Sequence, residues 1–296
     1  MNTNWLNTNE YPFKHHYFKV NDTTMHYVDE GEGEVLLFVH GTPSWSFEFR
    51  NVIKFLSKKY RCIAIDHIGF GLSEKPAKYD YTVQNHTASL LKLITHLQLN
   101  QFTMLVHDFG GIIGLAAAEQ IPEKIKGLVI LNTWCRSIQD EPEYKKMKMI
   151  LGSPLMPLLY RYLNFSAKYI LPAAFGERSR LTPEIHQHFL RPFSKVSERN
   201  GTIAFAKSLL RDQDYYASVG EKLSILKDKP VLIIWGMKDE FITEKHLLWM
   251  QEQFPGSKVV RYDDAGHFVL EPRGRRTHLE RRRRHGQRGR QPSTGD

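Results

Sequence analysis

Cysteine is almost absent from this chain: Cys62 and Cys135 are the only two among 296 residues. Two are too few for a disulfide framework, so a reducing, cytoplasmic setting is expected. Both stand in apolar strand or strand-end contexts, where a buried thiol is expected. Long apolar runs are missing as well. No stretch of about 18 apolar residues occurs, which excludes a conventional spanning helix. The opening MNTNWLNTNEYPF lacks the basic and apolar regions of a secretory signal. No membrane partner is expected on these grounds. What remains is ample for burial. With 41% hydrophobic and 12% aromatic residues, the chain can build one large core, or one core with an insertion.

Acidic residues are scarce where the arginines crowd. The net charge is +9, but residues 272–296 hold nine arginines against only Glu280 and Asp296, leaving +2 on residues 1–271. That segment has no lysine, whereas the preceding body uses 22 lysines and 10 arginines. THLERRRRHGQRGRQPSTGD contains one apolar residue, Leu279, and cannot present a packing face. Residues 272–296 therefore read as an Arg-rich disordered tail not native to the fold, with a frameshift or cloning junction as its origin. Charge runs are usually solvated, so nucleic acid is not expected as a partner.

Apolar runs alternate with helical patterns. EVLLFVH, RCIAID, FTMLVHD, KGLVILN, KPVLIIWG and SKVVRYDDAG read as strands buried on both faces, as in a parallel sheet. WSFEFRNVIKFLSKK, VQNHTASLLKLITHLQL, GIIGLAAAEQ and EKHLLWMQEQF carry apolar residues three and four apart. The order βαβα predicts an α/β fold, a mostly parallel central sheet with helices on both faces. HYFKVNDTTMHYVDEG predicts an antiparallel hairpin turning at NDT. The alternation stops between about 136 and 217, where KKMKMILGSPLMPLLYRYLNFSAKYILPAAFG is helical. LTPEIHQHFL opens a helix with Thr182 as N-cap and Pro183 first. The domains predicted are a core in two parts, 1–135 and 218–271, and an inserted helical cap, 136–217. Ligands bind at the carboxyl ends of parallel strands, so such a cap would roof the site.

Three candidates stand just after strands. Asp108 follows FTMLVH, at the apex of a turn with nucleophile-elbow spacing. Asp239 follows VLIIWGMK, and His267 lies in DDAGHF after the last strand. Nucleophile, acid, His is the α/β-hydrolase order. A Ser nucleophile is excluded because no G-x-S-x-G occurs. The loop His40-Gly41-Thr42-Pro43 can offer the backbone N–H of Thr42 to an oxyanion, and Phe109 a second. Each feature has a plainer reading alone: Asp66 in AIDHIGFG is expected to be a helix N-cap, and a single His is more often structural. Joint occurrence at matching strand ends favours chemistry. His186 and His188 are two apart and do not share a helix face, so they are expected as surface residues. No metal or cofactor is expected.

HGTPSWSFEFR, DHIGFGLSEKP, LVHDFGG, WGMKDEF and DAGHF, across roughly residues 15–271, resemble the haloalkane dehalogenase and epoxide hydrolase branch of the α/β-hydrolase superfamily. The resemblance implies that Asp108 attacks an electrophilic carbon and forms a covalent ester. His267, oriented by Asp239, then activates water, with a small apolar electrophile as substrate. It also implies two N–H donors for a leaving halide: a Trp after the nucleophile, and an Asn in the HG-x-P loop or a cap Trp. Here those positions hold Phe109 and Thr42. Trp45 and Trp134 are candidate substrate contacts. Epoxide hydrolases use cap tyrosines instead, for which Tyr215 and Tyr216 are the first candidates. A catalytically silent scaffold is the third possibility. The family's final helix should follow the His loop; HFVLE begins it, and the Arg-rich segment replaces it. Marginal stability is the expected consequence.

Overall fold

The structure, a computed structural model, describes residues 3–271. The expectations for the Arg-rich stretch 272–296 lie outside the described residues. Eight strands form one sheet: β1 (His16–Val20), β2 (Thr23–Glu30), β3 (Val35–Val39), β4 (Arg61–Ile65), β5 (Phe102–His107), β6 (Ile125–Leu131), β7 (Val231–Gly236) and β8 (Lys258–Tyr262). They lie in the order β1-β2-β4-β3-β5-β6-β7-β8. β1 and β2 pair antiparallel, β2 runs antiparallel to β4, and every later pairing is parallel. The hairpin turns at Asn21, whose φ of 54° is a left-handed conformation that Asn tolerates well. β3 to β6 are the unbroken apolar runs because helices cover both their faces.

The helices of the first half are α1 (Arg50–Leu56), α2 (Val83–His96) and α3 (Phe109–Gln120). α2 starts where Thr82 accepts the Asn85 N–H. α3 is apolar all round, with Phe109 to Ala118 buried, as expected of a helix pressed between sheet and neighbours. Between β6 and β7 come α4 (Pro142–Leu151), α5 (Leu155–Leu163), α6 (Leu171–Ala174), α7 (Pro183–Leu190), α8 (Asn200–Arg211) and α9 (Gln213–Lys222). Thr182 caps α7 by accepting the Ile185 N–H. The boundary read at 217 falls inside α9: Tyr216 and Val219 join the core cluster that holds Ile112 and Leu115 of α3, so burial carries this helix past the composition change. α10 (Glu244–Gln253) precedes β8.

Two buried ionic features tie the ends of the fold down. Arg50 grips Glu271 with two hydrogen bonds of 2.6 and 2.8 Å, both side chains being buried. Asp66 is a staple rather than a helix cap: it accepts from Ser46 N, Leu72 N and His26 Nδ1, each at 2.8 Å. The loop after β4 folds over it, which is why no helix begins there. Cys62 and Cys135 are free and buried, and burial pushes the Cys62 thiol up to about 12.

Candidate active site

Asp108 sits between the last residue of β5 and the first of α3, with φ 54° and ψ −130°. A non-glycine residue in that region is strained, and such strain collects at functional turns. The turn projects the side chain onto the carboxyl ends of the strands. Thr133 Oγ1 donates to the Asp108 carbonyl at 2.6 Å, and Asp108 N–H donates to the Asn132 carbonyl at 3.1 Å, so β6 braces the elbow. Gly41 leaves room for the carboxylate: a Cβ there would stand 2.2 Å from Asp108 Oδ2.

Thr42 N–H donates to Asp108 Oδ2 at 2.6 Å, and the Phe109 N–H also bonds this carboxylate. The carboxylate thus accepts from both N–H groups expected of an oxyanion hole. Its Oδ1 lies 3.8 Å from His267 Nε2. His267 Nδ1 bonds Asp239 Oδ2 at 2.7 Å. Asp239 is itself fixed: Oδ1 accepts from Phe241 N at 2.9 Å and Ile242 N at 3.0 Å, and Oδ2 accepts from Asn132 Nδ2 at 2.9 Å. Glu240 is exposed; Asp239 is the carboxylate that meets His267.

Electrostatics follows from this geometry. Burial pushes the Asp108 carboxyl up; the charges of His267 and His107 and the N–H groups of Thr42 and Phe109 oppose it. Burial also works against the Asp239 carboxylate, but His267 and the loop N–H groups prevail and hold it below the usual range. Burial alone would lower His267. The Asp239 charge and hydrogen bond, with Asp108 and Glu48 behind them, lift it instead to about 9.

Three positioning groups were not singled out in the sequence: Asn132, His107 and Glu48. His107 Nε2 lies 3.0 Å from the His267 carbonyl, and its Nδ1 lies 3.1 Å from Glu48 Oε1. A carbonyl only accepts, so Nε2 carries a proton. From the other side, the His267 N–H donates to the Ala174 carbonyl of α6 at 2.9 Å. Gly176 and Gly266 close this contact so tightly that a Cβ on Gly266 would stand 2.2 Å from Gly176 N.

The remaining candidates separate. The Trp134 ring meets Phe109 edge-on at 4.9 Å, and Phe109 stacks on Phe205 of α8 at 4.5 Å. Trp45 is fully buried and donates its indole N–H to the His188 carbonyl at 2.9 Å, so it packs inserted helices onto the core. Tyr216 is buried, and its hydroxyl bonds Ser208 at 2.7 Å. Tyr215 faces Thr87, Glu119 and Cys135, on the α2 and α3 side. His188 is not a surface residue: it is buried, lies flat on Phe47 at 4.5 Å, and accepts the Asn7 N–H. His186 bonds the Ala167 carbonyl. Among the described residues no group of three His, Cys, Asp or Glu is arranged to hold a metal ion.

A carboxylate at a strand–helix elbow, two N–H groups reaching it and an Asp–His pair after the last two strands form an arrangement similar to an α/β-hydrolase site. The family model described as alpha/beta hydrolase fold matches residues 34–273. The chain belongs to that family, as an enzyme related to haloalkane dehalogenases. It is 36% identical over 273 residues to the cis-3-alkyl-4-alkyloxetan-2-one decarboxylase of Shewanella oneidensis, covering 88% of this chain and 84% of the relative. Haloalkane dehalogenase 2 of Mycobacterium bovis is 32% identical over 265 residues, covering 88% and 91%. The solved haloalkane dehalogenase DatA from Agrobacterium tumefaciens C58 superposes with a TM-score of 0.79 at 22% identity, covering 90% of this chain and 94% of that one. At that identity the likeness concerns the fold.

Proposed function

We propose that Asp108 is a nucleophile that forms a covalent alkyl ester with a small apolar electrophile, as in carbon–halogen bond cleavage, beneath a cap formed by residues 136–217. The observation that supports this reading is the division of labour within one carboxylate: Oδ2 accepts the Thr42 N–H, the Phe109 N–H bonds the same carboxylate, and Oδ1 faces His267 Nε2. Oδ1 attacks an sp³ carbon, the carbon–halogen bond breaks, and halide leaves with its electron pair. Oδ2 becomes the ester carbonyl oxygen, already in the hole. His267 takes a proton from water as that water attacks the ester carbon, and Asp239 balances the imidazolium. The oxyanion on Oδ2 collapses, releasing the alcohol and restoring the carboxylate. A carboxylate suits the task because sp³ carbon needs a nucleophile already charged at neutral pH. The substrate and water complete the reaction.

Phe109 favours a second substrate class. Its ring has no N–H to cradle a halide. A strained lactone needs less of such a cradle, because its leaving carboxylate stays tethered. Attack on the ring carbon opens the C–O bond; loss of CO₂ with expulsion of Asp108 then leaves an alkene. The relative named for oxetan-2-one decarboxylation is 36% identical. Epoxide opening has less support, since the Tyr216 hydroxyl is engaged with Ser208 and Tyr215 faces away.

The test is the intact mass of His267→Gln after separate incubation with a bromoalkane, an epoxide and a 3,4-dialkyl oxetan-2-one. A persistent alkyl adduct on Asp108 from the bromide supports dehalogenation. An adduct from the epoxide alone moves the assignment to epoxide hydrolysis. Undiminished CO₂ release from the lactone supports decarboxylation, which uses no water. Folded protein with no adduct and no turnover removes the nucleophile reading.

A further inference from the structure

The outward face of α4 and α5 is built unlike the rest of the surface. Met149 and Ile150 at the end of α4 are 73% and 45% exposed. Leu155, Leu158, Tyr162 and Leu163 on α5 and Tyr169 just beyond it are exposed as well. On α5 the exposed positions fall at i, i+3, i+7 and i+8, a helical stripe. The other side of the same helix buries Met156 and Tyr160 against Ile203 of α8. α5 is thus apolar on both faces, although only one face has a protein neighbour among the described residues. Helices apolar all round are found buried.

At about 200 Å² for a fully exposed large side chain, the seven residues present on the order of 700 Å². Charge identifies what covers the face. From the start of α4 to residue 170 the chain has Lys145, Lys146, Lys148, Arg161 and Lys168 against one acidic residue, Glu143. Lys145, Lys146 and Lys148 stand exposed beside Met149 and Ile150, and Lys168 lies against the Tyr169 ring, 5.5 Å from its centre. A protein partner of ordinary composition would match the apolar part alone. Exposed apolar side chains beside an excess of cations match an anionic bilayer, whose interface accepts the first and whose headgroups attract the second.

We propose that the α4–α5 face docks on an anionic lipid surface. This departs from the expectation that the chain has no membrane partner. That expectation rested on the lack of a spanning segment, and indeed no helix among the described residues is long and apolar enough to cross a membrane; lying on a bilayer needs no such helix. The placement also has a use. α5 packs on α8, and Phe205 of α8 stacks on Phe109 beside the nucleophile. The docked face is two helix layers, α5 and α8, from Asp108, which puts the site on the bilayer side for an apolar substrate dissolved there. The docking itself does not depend on which bond Asp108 breaks.

The experiment is flotation of the full chain with phosphatidylglycerol–phosphatidylcholine vesicles and with phosphatidylcholine alone. Because arginines 273–290 can also attract anionic lipid, the readout is the difference made by substitutions on the α4–α5 face. The apolar variant is Leu155→Asp with Leu158→Asp and Tyr162→Asp; these side chains are exposed, so the melting temperature should hold. It should lower the partition coefficient by at least about tenfold. Lys145→Glu with Lys146→Glu and Lys148→Glu should abolish the preference for the anionic vesicles. Equal flotation of the parent and both variants would overturn the proposal, as would no flotation of the parent. Sizing supplies the other outcome: a dimer split by the three aspartates would assign the face to a second copy of the chain instead.

Discussion

Replacing Asp239 by Asn removes one charge and changes almost no volume. The carboxylate has four donors around it: Phe241 N and Ile242 N at Oδ1, Asn132 Nδ2 and His267 Nδ1 at Oδ2. An amide offers one acceptor oxygen. If that oxygen faces the two loop N–H groups, its NH₂ meets Asn132 Nδ2 and His267. If it faces His267 and Asn132, its NH₂ meets the loop. Either way donors oppose donors, at about 1–3 kcal/mol for each group left unsatisfied. In the first orientation His267 keeps its proton on Nε2 and presents N–H, not a lone pair, to the water. In both it loses the main influence lifting it to about 9. In a serine-protease triad the same exchange costs ~10⁴-fold. Here the loss should fall on one step only. Ester formation uses Asp108 and not the base, so it should change by less than about tenfold. Ester hydrolysis should slow by ~10³–10⁴-fold. Rapid-quench mass spectrometry with a bromoalkane reads both: a burst of adduct near one per chain, then slow release. Equal slowing of both phases would refute the assignment of Asp239 to the base alone. Undiminished hydrolysis would refute its role outright.

Phe109→Trp should place an indole N–H beside the nucleophile and raise bromide release at least tenfold, against the ~10²–10³ that one preorganised donor can supply. Its larger ring, packed between Trp134 and Phe205, should lower the melting temperature; unchanged bromide release would show that the leaving group lies elsewhere. The folded-state value of His267, about 9, lies above its ordinary 6.5, so this group's contribution to stability is full below pH 6.5 and is lost as pH rises through about 9. Denaturation midpoints of the parent and His267→Gln should therefore differ most near pH 6 and converge above about 9. Arg50→Met leaves Glu271 buried without its partner and should cost about 3–5 kcal/mol by urea denaturation, with most of it recovered in Arg50→Met/Glu271→Leu. Additive losses in that pair would show that the ion pair is not the source.

Much of the architecture can be read from the chain because parallel strands covered on both faces cannot alternate; they appear as unbroken apolar runs such as FTMLVH and VLIIWG. That Asp108, Asp239 and His267 would meet was legible for a related reason: this sheet brings together the residues that follow its strands, each within a few positions of a recognisable run. The groups that hold them were not. Asn132 reaches Asp239 across 107 positions, His107 reaches the His267 carbonyl across 160, and Arg50 reaches Glu271 across 221. Such contacts leave no local pattern. Glu48 gave the faintest signal, a lone carboxylate in the apolar run WSFEFRN. Polarity also misled at His188 and Asp66. Ring stacking on Phe47 buries the first, and the inward fold of the loop after β4 buries the second. Composition placed a boundary at 217, but α9 continues to Lys222 because its far end packs on α3.

The backbone of His267 is fastened twice, through its N–H to Ala174 and through its carbonyl to His107, and Gly176 and Gly266 meet with no space for a methyl group. This weld decides which part of the inserted helices can open. Lifting residues 174–176 would pull His267 off Asp239 and tug at the strand that leads to Asp108, so that edge is held fixed. Displacement of the opposite edge, α4 and α5, would leave the ties of His267 to Ala174 and His107 intact.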